Sequence, residues 1–207
     1  MNLPNRLTLA RIAAIPLILL FMLPMPFAAV FFRPWNLFID RYGMAIALLL
    51  FVAASITDYL DGKIARKMGI VTNIGKLMDP IADKLLVVSV LIALTQLGRV
   101  HAAVVVLILA REFLVTGLRV LAIEKGTVLA ADVTGKIKTV TQMTAIILLL
   151  LHLFLVGITP LLSEVSFWGT VVRVVGITAD VAVAACVIAT VYSGIHYFRA
   201  GVPFLRG

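Results

Sequence analysis

The chain has 207 residues, of which 62% are hydrophobic and only 14% are charged, and its mean hydropathy is +1.13. Because a soluble domain carries about a quarter charged residues, this composition excludes an ordinary soluble protein, and the lack of alternating ten-residue segments argues against an outer-membrane barrel. The formal net charge of +8 is typical of Lys and Arg in cytoplasmic loops; it does not by itself indicate a nucleic acid partner.

Long apolar stretches predict an all-α polytopic membrane protein with six transmembrane helices. We expect residues 2–11 to form a short interfacial helix ahead of the first span. The predicted spans are residues 12–32, 43–62, 75–97, 101–122, 136–158 and 168–198. A charged loop is expected after the first span, at Arg33 to Arg41. Since no linker or internal repeat is visible, residues 1–207 are predicted to form a single membrane domain.

Loop charges predict the orientation of these spans. If the N-terminus is inside, most Lys and Arg fall on inner segments, and the outer ends keep only Arg33, Arg41, Arg99 and Arg173. Membrane proteins concentrate Lys and Arg on the cytoplasmic side. Both termini are therefore expected in the cytoplasm.

Four aspartates flank the connection between the second and third spans. Asp58 and Asp61 are three residues apart and Asp79 and Asp83 are four apart, so each pair shares one helix face. Four neighbouring carboxylates repel one another and are costly near lipid unless cations neutralise them. Hard oxygen donors suit Mg²⁺, Mn²⁺ or Ca²⁺. The alternative is that each aspartate caps a helix end or pairs with a neighbouring lysine, among them Lys63, Lys67, Lys76 and Lys84.

Small residues accompany the aspartates. Gly62, Ala65 and Gly75 lie about one helical turn from an aspartate and leave room for a ligand, although Gly62 alone would equally suit helix packing. Arg66 offers a planar fork for a phosphate, and Thr72 offers a hydroxyl. Together with a metal pair, these residues favour a pyrophosphate ligand.

The pattern D-x2-D-G-x2-A-R-x8-G-x3-D-x3-D runs complete from Asp58 to Asp83 and resembles the signature of the CDP-alcohol phosphatidyltransferases, which are six-helix membrane enzymes. The N-terminal N-x-L-T-x-x-R element, from Asn5 to Arg11, is also similar. The resemblance implies that Asp58, Asp61 and Asp79 bind metal, as two Mg²⁺ or Mn²⁺ ions, while Asp83 binds metal and acts as general base. The alcohol then attacks the β-phosphorus of a CDP-linked lipid and expels CMP. The contacts to the CDP-lipid implied by the resemblance are Asn5, Thr8, Asp61, Gly62, Ala65, Arg66, Thr72 and Gly75.

A second polar set lies further along the chain. Arg111 and Glu112 sit within the fourth apolar span, where a charge pair is expensive and usually functional. Arg119 follows two helical turns later, and the fifth span opens with Lys136, Lys138 and Gln142. These six residues predict a basic pocket for a phosphorylated alcohol. For Arg119, Lys136 and Lys138 the alternative is a role as cytoplasmic anchors.

The blocks R-E-x6-R, from Arg111 to Arg119, and G-K-x-K-T-x-x-Q, from Gly135 to Gln142, resemble those of bacterial phosphatidylglycerophosphate synthases. This resemblance extends from Asn5 to about Met143, and beyond it only hydrophobicity agrees. It implies CDP-diacylglycerol and sn-glycerol 3-phosphate as substrates, a homodimer, and a bacterial inner membrane location with a cytoplasmic active site.

Other functions remain open from the sequence. Inositol phosphate, phosphatidylglycerol and serine are alternative acceptors that share the aspartate motif. Among other protein classes, a divalent-cation transporter or a non-catalytic lipid-binding scaffold would also use intramembrane carboxylates. The isolated His101, His152 and His196 are expected to be structural, and the lone Cys186 a packing residue.

Overall fold

The computed structural model describes the backbone of residues 3–25, 31–68, 73–127, 132–162 and 167–205. Within these ranges, the side chains of residues 3–7, 58–68, 73–80, 83 and 203–205 are not described. The predicted ligands Asn5, Asp58, Asp61, Gly62, Ala65, Arg66, Thr72, Gly75, Asp79 and Asp83 therefore lie outside the described side chains.

Helices account for nearly all of the described backbone, which contains no β-strand. The helices are α1 (Leu3–Met22), α2 (Arg33–Phe38), α3 (Met44–Met68), α4 (Asn73–Gln96), α5 (Ala102–Glu124), α6 (Val133–Leu162) and α7 (Trp168–Leu205). Among the described residues, three stretches are long and apolar enough to cross a membrane, at Arg33–Thr57, Val133–Leu162 and Trp168–Val202. The all-α membrane fold is thus confirmed, while the count of six spans stays a prediction.

The N-terminal third differs from its predicted boundaries. The expected interfacial helix and first span form one continuous helix, α1, which ends at Met22 rather than at residue 32. Pro24 explains this early end, because proline disfavours helical conformation in the residue before it.

The predicted charged loop after the first span is largely helical. The chain forms α2 and then a π-helical turn, Ile39–Gly43, that leads directly into α3. Pro34 is well placed at the start of α2. The Asn36 amide also donates to the Met25 carbonyl at 3.2 Å and its oxygen accepts from the Met25 N–H at 3.0 Å. These bonds fasten α2 to the segment that follows α1.

Glycines end α4 and α5 at positions that need a left-handed backbone. Gly98 has a φ of +69° and Gly126 a φ of +71°. In each case the next residue donates its N–H back into the last turn, from Arg99 to Leu94 at 2.9 Å and from Thr127 to Ala122 at 2.8 Å. This is the Schellman arrangement, which satisfies helix-end carbonyls.

The helices pack in two groups that share one core. In the first group α1 packs against both α3 and α4, and in the second α7 packs against α5 and α6. Contacts of α3 with α6 and of α4 with α5 join the groups. The shared core includes the fully buried Ile18, Phe51, Leu94, Ile146 and Leu149, with Cys186 buried beside them. The helices predicted to carry metal ligands thus adjoin those that carry the second polar set.

Candidate functional site

The aspartates lie near the adjoining ends of two helices that are consecutive in the chain. Asp58 and Asp61 lie in the last three turns of α3, and Asp79 and Asp83 lie in the first three turns of α4. Residues 69–72 alone separate the two helices. Carboxylate oxygens in this number are a suitable donor set for Mg²⁺ or Mn²⁺.

Helix α1 packs against both aspartate-bearing helices and contributes buried polar side chains. Thr8 is 2% exposed and Arg11 is 3% exposed. Buried polar groups of this kind are rarely placed at random in a membrane helix bundle. Thr8 and Arg11 therefore lie inside the bundle, on the helix that adjoins both aspartate-bearing helices.

An ion-pair cluster joins α5 to α6. One carboxylate oxygen of Glu112, Oε1, accepts from Arg111 Nη1 at 3.0 Å and from Lys138 Nζ at 2.6 Å. Lys138 Nζ also donates to Gln142 Oε1 at 2.5 Å. Lys138 is only 3% exposed, so its side chain lies inside the helix bundle. Lys136 is exposed and lies outside this cluster as far as the structure describes it.

Helix α7 supplies partners for both arginines of the second polar set. Arg111 Nη2 donates to Ser193 Oγ, and Arg119 Nη2 donates to Tyr197 Oη at 3.2 Å. The Tyr197 ring also lies against both guanidinium groups, with centroid distances of 5.4 Å to Arg111 Cζ and 5.5 Å to Arg119 Cζ. Sequence reasoning missed Ser193 and Tyr197, although polar residues one turn apart in an apolar helix were an available signal.

Two arginine donors of the second polar set remain unsatisfied among the described residues, as does Arg99 Nε outside that set. The Nε atoms of Arg111 and Arg119 are buried and have no hydrogen-bond partner among the described residues. A buried donor left unpaired costs about 1–3 kcal/mol, so proteins rarely keep one without a reason. An anionic ligand with several oxygens is the kind of partner that such guanidinium groups bind.

A short hydrogen-bond chain ties the aspartate-bearing α4 to α5. Lys84 Nζ donates to Thr116 Oγ1 at 2.6 Å, and Thr116 Oγ1 donates to the Glu112 carbonyl at 2.7 Å. Lys84 follows Asp83 directly in the chain. The backbone that bears Asp83 is therefore held close to the helix that bears Arg111 and Glu112.

Asp132 fastens the start of α6 to α7. Its carboxylate accepts from the Val133 N–H at 2.6 Å and from the Thr134 hydroxyl at 3.1 Å, and it pairs with His196 Nε2 at 2.9 Å. The bond from the Val133 N–H, followed by those from Thr134 and His196, lowers the pKa of Asp132 below its ordinary value. The sequence analysis does not single out Asp132. The ion pair gives His196 the structural role that was expected for it.

Comparisons with known proteins agree with the sequence patterns. Residues 1–176 match the CDP-alcohol phosphatidyltransferase family. The chain is 42% identical to a CDP-diacylglycerol–glycerol-3-phosphate 3-phosphatidyltransferase of Bacillus subtilis, over 99% of this chain and 97% of that protein. A Rickettsia bellii protein of the same name is 49% identical over 72% of this chain and 75% of its own length. A probable phosphatidylglycerophosphate synthase of Mycobacterium tuberculosis is 37% identical, over 100% of this chain and 84% of its own length.

Proposed function

The chain belongs to the CDP-alcohol phosphatidyltransferase family, and we propose that it transfers the phosphatidyl group of CDP-diacylglycerol to sn-glycerol 3-phosphate. The products are phosphatidylglycerophosphate and CMP. The names of its relatives specify this donor and this acceptor. The structural observation that carries the choice of acceptor is the cluster of buried Lys138 with the partly buried Arg111 and Arg119, around α5, α6 and α7.

The charge of this cluster suits a phosphate monoester. Arg111, Arg119 and Lys138 carry three positive charges, and Glu112 carries one negative charge, which leaves a local excess of two. A phosphate monoester carries about −1.5 to −2 at neutral pH. Guanidinium groups bind such oxygens in a planar, directional way. An uncharged alcohol or a zwitterionic amino acid would leave this excess uncompensated.

Asp83 is the proposed general base. It lies in α4. The residue that follows it, Lys84, is hydrogen-bonded to α5 beside the acceptor cluster. Asp83 removes the proton of the acceptor hydroxyl, the oxygen attacks the β-phosphorus of CDP-diacylglycerol, and the bond to CMP breaks. Holding the acceptor phosphate on α5 and α6 while its hydroxyl faces α4 provides the required orientation.

The CDP-alcohol phosphatidyltransferase family is generally divalent-metal dependent, and the donor set fits this dependence. We assign Asp58, Asp61, Asp79 and Asp83 as ligands of two Mg²⁺ or Mn²⁺ ions. When bound, the ions supply charge stabilisation at the phosphoryl oxygens. The residues assigned to the CDP-lipid are Asn5, Thr8, Asp61, Gly62, Ala65, Arg66, Thr72 and Gly75. Those assigned to the acceptor phosphate are Arg111, Glu112, Arg119, Lys138 and Gln142, with the exposed Lys136 near the start of α6 as a contact outside the cluster.

The membrane setting follows from the same proposal. The apolar helices and the family identify a membrane protein. We place it in the bacterial inner membrane as a homodimer, with both termini and the active site on the cytoplasmic side, where both the water-soluble acceptor and CMP are accessible. Labelling of single cysteines at residues 2 and 206 from either side of sealed vesicles tests this orientation.

The decisive experiment is a CMP-release assay with the purified protein in detergent–lipid micelles. CDP-diacylglycerol is supplied with Mg²⁺ or Mn²⁺ and with glycerol 3-phosphate, inositol phosphate, phosphatidylglycerol or serine in turn. We expect release with glycerol 3-phosphate, and its loss when the metal is chelated. Release with another acceptor but not with glycerol 3-phosphate would overturn the assignment, and metal uptake into vesicles without any CMP release would favour a transporter.

A further inference from the structure

We propose that Tyr197, together with Ser193 one turn before it, is a positioning residue that sets Arg111 and Arg119 to receive the acceptor phosphate. This inference rests on the proposed function, because it assigns a role within the same acceptor site. It adds α7 to the acceptor site, because the two sequence motifs that predict this site lie on α5 and α6. The matched family region ends at residue 176, well before either residue.

The Tyr197 ring brings two cations to one place. It is only 2% exposed, and the guanidinium carbons of Arg111 and Arg119 lie 5.4 and 5.5 Å from its centroid. The two guanidinium groups carry like charges, and the negative face of the aromatic ring attracts a cation placed against it. The ring therefore stabilises a two-arginine arrangement before an anion binds.

The Tyr197 hydroxyl fixes the ring and one of the arginines. Its oxygen accepts from Arg119 Nη2 at 3.2 Å and from the backbone N–H of Asp132 at 2.9 Å. These bonds connect α5, the start of α6 and α7 through one atom. Arg111 has its own tether, since its Nη2 donates to Ser193 Oγ.

Two glycines leave the space that this arrangement needs. A Cβ at Gly135 would lie 3.3 Å from Tyr197 Oη and 3.6 Å from Arg111 Nη2, and a Cβ at Gly194 would lie 3.4 Å from Arg111 Cγ. The first distance is tighter than ordinary side-chain contact. Glycines on α6 and α7 thus let Arg111 and Tyr197 come together from different helices.

The two arginines of this site are only partly paired. Arg111 shares the Glu112 carboxylate with Lys138, and Arg119 has no carboxylate partner among the described residues. Both Nε donors are buried and unpaired within the described part of the chain, as is the Nε of Arg99 outside this site. The tyrosine orients the two guanidinium groups, and three cations with one carboxylate leave positive charge for a ligand.

The test compares steady-state kinetics of Tyr197→Phe with those of Tyr192→Phe. The phenylalanine at 197 keeps the ring but removes the hydroxyl bonded to Arg119; Tyr192 is 64% exposed on the same helix and serves as the matched control. We expect KM for glycerol 3-phosphate to rise roughly tenfold in Tyr197→Phe, as for the loss of a hydrogen bond to a charged group. KM for CDP-diacylglycerol and the control should change by less than about twofold. The inhibition constant of inorganic phosphate, competing with the acceptor, should rise in parallel.

Other outcomes separate the two proposals. If the wild-type protein uses glycerol 3-phosphate but Tyr197→Phe raises both KM values equally or behaves like the control, the positioning role is wrong and the proposed function stands. If the wild-type protein uses only an unphosphorylated acceptor, both proposals fail. Should Tyr197→Phe not fold, Ser193→Ala removes the Arg111 tether alone, and an unchanged KM for glycerol 3-phosphate in that variant overturns the inference.

Discussion

Lys138 on α6 and Glu112 on α5 form an ion pair of 2.6 Å in which the lysine side chain is 4% exposed and the glutamate 21% exposed. The same carboxylate oxygen holds Arg111, so Glu112 restrains two cations that would otherwise repel each other. A buried lysine without its carboxylate partner would keep a charge that neither water nor a counter-ion stabilises, which is costly. The pair therefore has a structural role and also determines the position of the proposed acceptor-binding cations.

Replacing Glu112 by Gln should destabilise the protein and weaken acceptor use. Lys138 would remain buried without a carboxylate partner, and breaking a buried pair costs about 3–5 kcal/mol. Thermal unfolding in detergent should show a clear fall in Tm. Glu124→Gln, at the exposed end of the same helix, is the control, and equal Tm values for the two variants would contradict the role of the pair.

Replacing Asp83 by Asn should abolish CMP release without changing the fold. The amide has nearly the shape of the carboxylate but does not accept the acceptor proton, and general-base catalysis contributes about 10²–10⁴ in rate. Asp180→Asn, an exposed aspartate whose contact with Arg99 is long at 3.5 Å, should keep full activity. Wild-type rates in Asp83→Asn would exclude this residue as the base.

The sequence predicts the helices and the acceptor cations but not the partners that arrange them. Apolar runs identify membrane helices from composition alone, and Arg111, Glu112 and Lys138 stand out because charges are costly within such runs. Ser193 and Tyr197 lie 82 and 78 residues from the arginines they bind, and no periodicity encodes such a distance. The sequence predicts a loop at Arg33 to Arg41 because its charges and proline are typical of loops, whereas Pro34 starts a helix.

The Thr116 hydroxyl should affect turnover more than acceptor binding. It links Lys84, next to Asp83, to the Glu112 carbonyl. Thr116→Val keeps the shape of the side chain and removes this link, which is worth about 1 kcal/mol or roughly a fivefold loss of kcat. Thr139→Val is the control, because Thr139 bonds only its own helix at the Gly135 carbonyl. If kcat falls equally in Thr116→Val and Thr139→Val, the link between Lys84 and Glu112 has no special role.

Asp132 should make stability depend on pH at the acidic end. Its pKa is lowered from the ordinary 3.8 in the folded protein, so the unfolded chain takes up a proton first as the pH falls. The stabilising contribution is therefore fully present well above pH 3.8 and is lost as the pH falls below that value through the lower folded pKa. Comparing Tm for wild type and Asp132→Asn should show a gap at pH 6 that narrows below pH 3.8. A gap that stays constant across this range would show that the carboxylate charge is not involved.

Gly135→Ala should impair acceptor use through steric contact alone. The added Cβ would lie 3.3 Å from Tyr197 Oη, so the tyrosine must shift by a few tenths of an ångström, and it would be in ordinary contact with Arg111 Nη2 at 3.6 Å. Positional errors of this kind in a binding site are costly for orientation, and we expect several-fold higher KM for glycerol 3-phosphate.

Gly117→Ala, in the middle of α5 with no atom within 4 Å of the new Cβ, should instead leave kinetics unchanged and raise helix stability by about 0.5–1 kcal/mol. Because both changes add the same methyl group to a helical glycine, a kinetic defect confined to position 135 would identify crowding at Tyr197 and Arg111 as its cause. Equal kinetics in the two variants would show that the space left by Gly135 is not needed for acceptor binding.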